Sequence, residues 1–178
     1  MDAGVHHLQG KAEGVTPSEL QQLLRDFYLE RLALLMRHEA SARLIGDYDV
    51  NNAYQYIINR EETHVSWLQH ALVDLAAEIP PDPSASNVTT SRKGDDAVTD
   101  LSGEDSRLNQ QFVDKWRDRI EGVTHARHQG MLRVVLGEML EHKRTFEQSA
   151  QGRRDIIGKA MDIHERRGKV LPERWVGQ

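Results

Sequence analysis

Glu61 and His64 lie three residues apart in the stretch REETHVSW (60–67), a spacing that sets two side chains on one face of a helix. At 100° per residue, the apolar line of that helix runs through Ile57, Leu68, Leu72 and Leu75. Glu61 and His64 fall inside the line, and Glu62 points away. A carboxylate among leucines costs several kcal/mol to bury unless it is paired or metal-bound. The plainer outcome is a Glu61–Arg ion pair with His64 bonded to a backbone carbonyl. A second pair strengthens the ligand reading. In GEMLEHKRTFEQ, Glu138 and His142 are four apart and share the face of Val134, Val135, Met139 and Phe146, with Glu141 at its margin. Two helices thus each offer a Glu and a His inward, and hard oxygen donors with imidazole suit iron or manganese, with zinc also admissible.

Four helices must position these groups. Residues 1–16 are Gly-rich and polar and read as a loose arm. TPSEL then opens a first helix, with Thr16 as N-cap, Pro17 at the first position and Glu19 closing a capping box. Its period holds through Leu20, Leu23, Leu24, Phe27, Leu34, Leu35, Ala42 and Ile45, and Gly46 and Asp47 end it. A second helix is expected from about Val50 to Glu78, stopped by Pro80, Pro81 and Pro83. The Pro/Ser/Thr/Asp/Gly-rich stretch 79–103 reads as a crossover loop. A connection this long has a geometric use if the second and third helices run parallel, because the chain must then climb back about 42 Å at 1.5 Å per residue. A third helix is expected from near Asp105 through Leu108, Phe112, Trp116, Ile120 and Val123. EGVT (121–124) reads as a break, with Gly122 ending one helix and Thr124 capping the next, although one long helix would also keep the apolar phase. The fourth helix runs to Gly152. The bundle therefore spans 17–152, and a C-terminal tail, 153–178, adds a short charged helix and the segment VLPERWVGQ with Trp175.

On the first helix, Glu39 is the candidate carboxylate, and Glu30 lies further from the matching level. His38 sits near the centre of the apolar stripe and reads as a core histidine satisfied by one hydrogen bond. On the third helix, Asp105 or Glu104 lies opposite Glu138, both at the expected helix start.

The composition narrows the classes. The 178 residues suit one domain with a real core. A net charge of −5 with no Lys/Arg run argues against nucleic acid. No stretch approaches the roughly 20 apolar residues of a membrane span, and the first residues carry no apolar signal segment. With no cysteine, any metal must be held by carboxylates and imidazoles. A cytoplasmic location is the default.

EASA (39–42), EETHVSWL (61–68) and EMLEHK (138–143), set on the first, second and fourth helices around a long crossover, resemble the ferritin-like, rubrerythrin-like superfamily over residues 17–150. The resemblance implies an all-α four-helix bundle in which Glu39, Glu61, His64, Glu138 and His142, with Glu141 beside them, hold a di-iron centre, manganese or zinc being alternatives. It also implies a homodimer or higher homo-oligomer, and an oxidase, peroxidase, hydroxylase or iron-handling role with oxygen or peroxide as small substrate. The chain departs from that pattern. Its fourth-helix pair is E-x-x-x-H with Met139 where the family's Glu is expected, the third helix offers no good Glu, and no rubredoxin-type domain follows. THARHQGML (124–132) with THVSW resembles DinB-like bundles instead, which would make His64, His125 and His128 a three-histidine zinc or nickel site. However, His125 and His128 are three apart, and Thr124 stands where a histidine is expected. The remaining class is a metal-free bundle that binds a partner or assembles.

Overall fold

The computed structural model describes residues 16–84 and 87–158, which form four helices and no strand. The first, α1, is Pro17–Leu44, and its capping box forms as the sequence predicts. Glu19 N–H donates to the Thr16 hydroxyl, and the Glu19 carboxylate accepts from Thr16 N–H at 2.7 Å. α2 is Tyr48–Asp74, capped by Asp47, whose carboxylate accepts from Val50 N–H at 2.9 Å. α3 is Asp95–Glu121 and α4 is Ala126–Ala150. Each helix buries one stripe in a shared core that includes Leu24, Phe27, Ile57, Leu68, Trp116, Leu132 and Phe146. Phe27 meets Phe112 and Trp116 edge-on at 5.0 and 4.9 Å, joining α1 to α3. No described helix is long and apolar enough to cross a membrane.

The side-chain pairs give the helix directions. Gln21 donates to the carbonyl of Leu75, and Asn51 donates to those of Ala42 and Ile45, so α1 and α2 are antiparallel. Asp26 with Arg119, Glu30 with Lys115, and Arg37 with Asp105 make α1 and α3 antiparallel as well. α2 and α3 therefore run parallel, and residues 75–94 carry the chain back along roughly 40 Å of bundle. This is the geometry for which a long crossover is needed. At the end where α3 begins, Arg154 bonds both Asp47 and Asp95, tying the α1–α2 turn and the start of α3 to the end of α4.

Several boundaries differ from expectation. α3 begins at Asp95 rather than near Asp105, so 95–103 is helix and not crossover. In this segment Ala97, Val98, Leu101 and Ser102 are buried at helical spacing, but Ala97 and Ser102 are small or polar and leave two large apolar residues as the signal. α2 ends at Asp74 instead of Glu78, before the prolines act. Ala76 turns into the left-handed region at φ 53°, and Ala77 N–H bonds back to Leu72, an arrangement that satisfies the last carbonyls of a helix. The break at EGVT is present, with His125 rather than Thr124 as the cap of α4. Val134, expected to face inward, is half exposed. Residues 153–158 are not helical, while the arm 1–15 and the tail from 159, including its expected short helix, lie outside the described residues.

Candidate functional site

The middle of the bundle carries a charged layer, fully buried around Glu61 and partly open to solvent at Arg60 and Glu138. Glu61, at the centre of α2, is fully buried and has three basic neighbours. His38 of α1 places Nδ1 at 2.8 and 3.0 Å from the two carboxylate oxygens. Because a carboxylate only accepts, Nδ1 carries the proton. Arg31, also on α1 and fully buried, sets Nη2 2.7 Å from Glu61 Oε1, an ion pair lying off the N–H axis. His142 of α4 approaches the same oxygen with Nδ1 at 3.4 Å. Burial pushes the Glu61 carboxyl up, but Arg31 and His38 more than offset it and hold it well below the usual range.

Glu138 makes the adjoining half of the layer. Arg60 grips it with Nε on Oε2 at 3.0 Å and Nη2 on Oε1, and His64 Nε2 donates to Oε2 at 2.9 Å. Burial raises the Glu138 carboxyl, and the Arg60 and His64 contacts lower it further than that, leaving it below normal. Burial and the nearby Arg31 depress His64 to about 4, so its imidazole is neutral at pH 7. The His64 and His142 rings stack at 6.1 Å, linking the two carboxylate clusters.

Of the residues singled out from sequence, Glu61, His64, Glu138 and His142 come together here. Glu39 does not, being partly exposed and paired with Arg43 at 3.5 Å. Glu141 is exposed and paired with Arg144. Glu30 bonds Lys115 and the Trp116 indole on the α1–α3 seam, and Glu104 pairs with Arg107. His128 caps no such cluster. Its ring lies 4.2 Å from that of His125 at the start of α4, ten residues, or about 15 Å of helix, before Glu138. His64 bonds Glu138, so the three-histidine grouping is not formed.

Three contributors were not legible as site residues. Arg31 falls in the buried series Leu24, Phe27, Tyr28, Arg31, Leu35, His38, and a charge in an apolar stripe was the available signal. His38 does make one hydrogen-bonded contact, as expected of a core histidine, but to Glu61. Asn109 is the buried residue that α3 supplies at this level. Thr99 reaches Ala150 and Gln129 reaches Ile120, a register that sets Asn109 beside the turn 139–142 of α4, and neither of its amide atoms has a partner among the described residues.

Asp105 anchors a separate network. It sits well inside α3, fully buried, and accepts from Tyr54 O–H at 2.7 Å and Arg37 Nε at 2.6 Å. Burial, followed by the Asp105 charge, pushes the Tyr54 phenol well above its ordinary value. Tyr54→Phe removes a donor to a buried carboxylate and is expected to cost about 1–3 kcal/mol of unfolding free energy. Urea denaturation measures it, and an unchanged midpoint would show that Arg37 alone suffices.

The centre does not fit a metal pair. Two divalent ions need several anionic ligands, yet the layer holds two carboxylates, each already bonded by its own guanidinium. α3 brings the amide of Asn109, and Met139 is buried where a further carboxylate would be needed. Among the described residues no group of three or more His, Asp or Glu is arranged to hold a metal ion. No protein-family model, curated protein or solved structure matches the chain. The residues themselves carry the functional argument.

Proposed function

We propose that this chain is a ferritin-like bundle that works without a metal pair, as a non-catalytic, cytoplasmic protein acting through association. The observation that supports this reading most is the charge balance of the layer. Glu61 is paired with Arg31 and Glu138 with Arg60, so each carboxylate of the layer has a guanidinium of the chain as its counter-ion. Adding two dications would place them against two guanidiniums that cannot deprotonate. The layer then has a structural use, fixing which faces of the helices meet.

The partner in this reading is a second copy. Tyr56, Trp67 and Val134 are 58, 38 and 50% exposed, and helical phase with the Arg60–Glu138 pairing puts them along one α2–α4 face. An apolar stripe of this kind suits a two-fold contact. Light scattering on the eluting protein is expected to give twice the monomer mass, with Trp67→Lys shifting it to monomer. A monomeric wild type sinks the self-association. The metal part is tested by expressing the full chain in iron- and manganese-supplemented medium and measuring metal content. Less than about half an equivalent per chain is expected. One equivalent or more of iron or manganese would restore the oxidase, peroxidase or iron-handling reading.

A further inference from the structure

The seam between α1 and α3 carries a hollow bounded by two ion pairs. Glu30 meets Lys115 at one end and Arg37 meets Asp105 at the other, seven residues, or about 10 Å of helix, apart on α1. Between them the helices present apolar groups, Ala33 and Leu34 from α1 and Leu108 and Phe112 from α3. Ala33 brings only a methyl group to the seam, and the space lies over it. The hollow measures about 380 Å³, within the roughly 300–1,000 Å³ of small-molecule sites.

Arg37 also lines a second, polar pocket of about 250 Å³, which crossover residues 87–90 form against α3. Val88 packs on the core and holds this piece of the crossover in place. Thr89 and Thr90 bring hydroxyls to the pocket. The acids at its rim, Asp100 and Glu104, are already paired with Arg92 and Arg107. Among the described residues Arg37 hydrogen-bonds through Nε alone, to Asp105 at 2.6 Å, and its side chain stays 20% exposed. A guanidinium carries five N–H donors, so the terminal nitrogens of Arg37 are left at the junction of an apolar hollow and a polar pocket.

We propose that this seam binds a small apolar monocarboxylate, its carboxylate on the terminal nitrogens of Arg37 and its hydrocarbon in the hollow over Ala33. The planar fork of a guanidinium matches a carboxylate, and the threonine hydroxyls can donate to the same oxygens. The site is separate from the self-association face. α1 packs on α2 and α3, and α4 packs on the same two helices, so the α1–α3 seam and the α2–α4 face lie on opposite sides of the bundle.

Calorimetric titration of the full chain with octanoate, paralleled by octanol, tests the site. One octanoate per chain is expected, bound at least about tenfold tighter than octanol. Arg37→Gln should remove that difference, lowering octanoate to the octanol affinity and leaving octanol unchanged. Ala33→Leu, at an exposed helical position that suits leucine, should fill the hollow and weaken both ligands at least about tenfold. Helical circular dichroism checks that each variant folds; where R37Q does not, the octanoate–octanol contrast and A33L carry the test. Trp67→Lys, on the opposite side, should bind octanoate as wild type does. No saturable octanoate binding, or binding unchanged in A33L, overturns the site. Octanol bound as tightly as octanoate overturns the carboxylate ligand. A dimer dissolved by A33L and kept by W67K would give the seam to a second copy and likewise overturn the proposal.

Discussion

Arg31→Met is expected to lower the unfolding free energy by about 3–5 kcal/mol, among the largest losses available to a single substitution in this chain. The loss does not measure the net worth of the ion pair. Two charges taken out of water already cost most of what their attraction returns. The penalty comes from what remains: Glu61, fully buried, keeps a negative charge with His38 and a longer contact to His142 as its supports. Neutralising that residue should recover most of the loss, so R31M/E61Q is expected to lie closer to wild type than R31M does. Urea denaturation of the three proteins checks the order. A double variant no more stable than the single one would place the cost in lost packing of the arginine stem instead.

Stability should also fall by about 3 kcal/mol as the pH is lowered from 6.5 to 4. The sign follows from His64, whose ordinary value of 6.5 is depressed to about 4 in the folded chain. Between those values the unfolded chain takes up a proton that the folded chain refuses, so acid favours unfolding. Below about 4 this group adds nothing more. His128, lowered by burial and by His125, acts in the same direction. Glu61 and Glu138 extend the loss further into acid, since both stay ionised in the fold while their unfolded counterparts protonate near the ordinary 4.5. Denaturation midpoints at intervals from pH 7.5 to 4 would trace the decline. His64→Gln should flatten the upper part of the curve and leave the lower part intact. A midpoint indifferent to pH over this range would contradict the burial of His64 as a neutral base.

How far the sequence reached depended on which physical signal each element used. α1, α2 and α4 declare themselves through large apolar residues at helical spacing, and the capping box at Thr16 fixes a boundary almost to the residue. The parallel run of α2 and α3 could be anticipated from crossover length alone. The first turns of α3 could not, because a helix buried with Ala97, Ser102 and Asp105 borrows its stability from neighbours instead of displaying it. The inward set of Glu61, His64, Glu138 and His142 was legible because helical phase decides direction. Arg31 was not, for a reason of reach. The pairs Gln21–Leu75 and Tyr28–Gln69 set Glu61 level with Leu35 and its neighbour, so Arg31 lies about one turn of helix away from that level. A long flexible side chain crosses this gap, and no periodicity argument anticipates it. Glu39 misled in the opposite way: it stands at a plausible level on the wrong face.

The crossover between α2 and α3 divides the molecule into two antiparallel hairpins that share no turn. Each hairpin holds part of the charged layer. The α1–α2 hairpin owns Arg31, His38, Glu61 and His64, and the α3–α4 hairpin owns Asn109, Glu138 and His142. His64 finds its carboxylate only across that division. Docked in another rotation or slid by one turn, the hairpins would part Glu138 from Arg60 and His64, and His142 from Glu61. The layer therefore works as a key cut into two otherwise greasy surfaces, and halves severed between 75 and 94 would still recognise each other as the fit that gives Glu138 both Arg60 and His64.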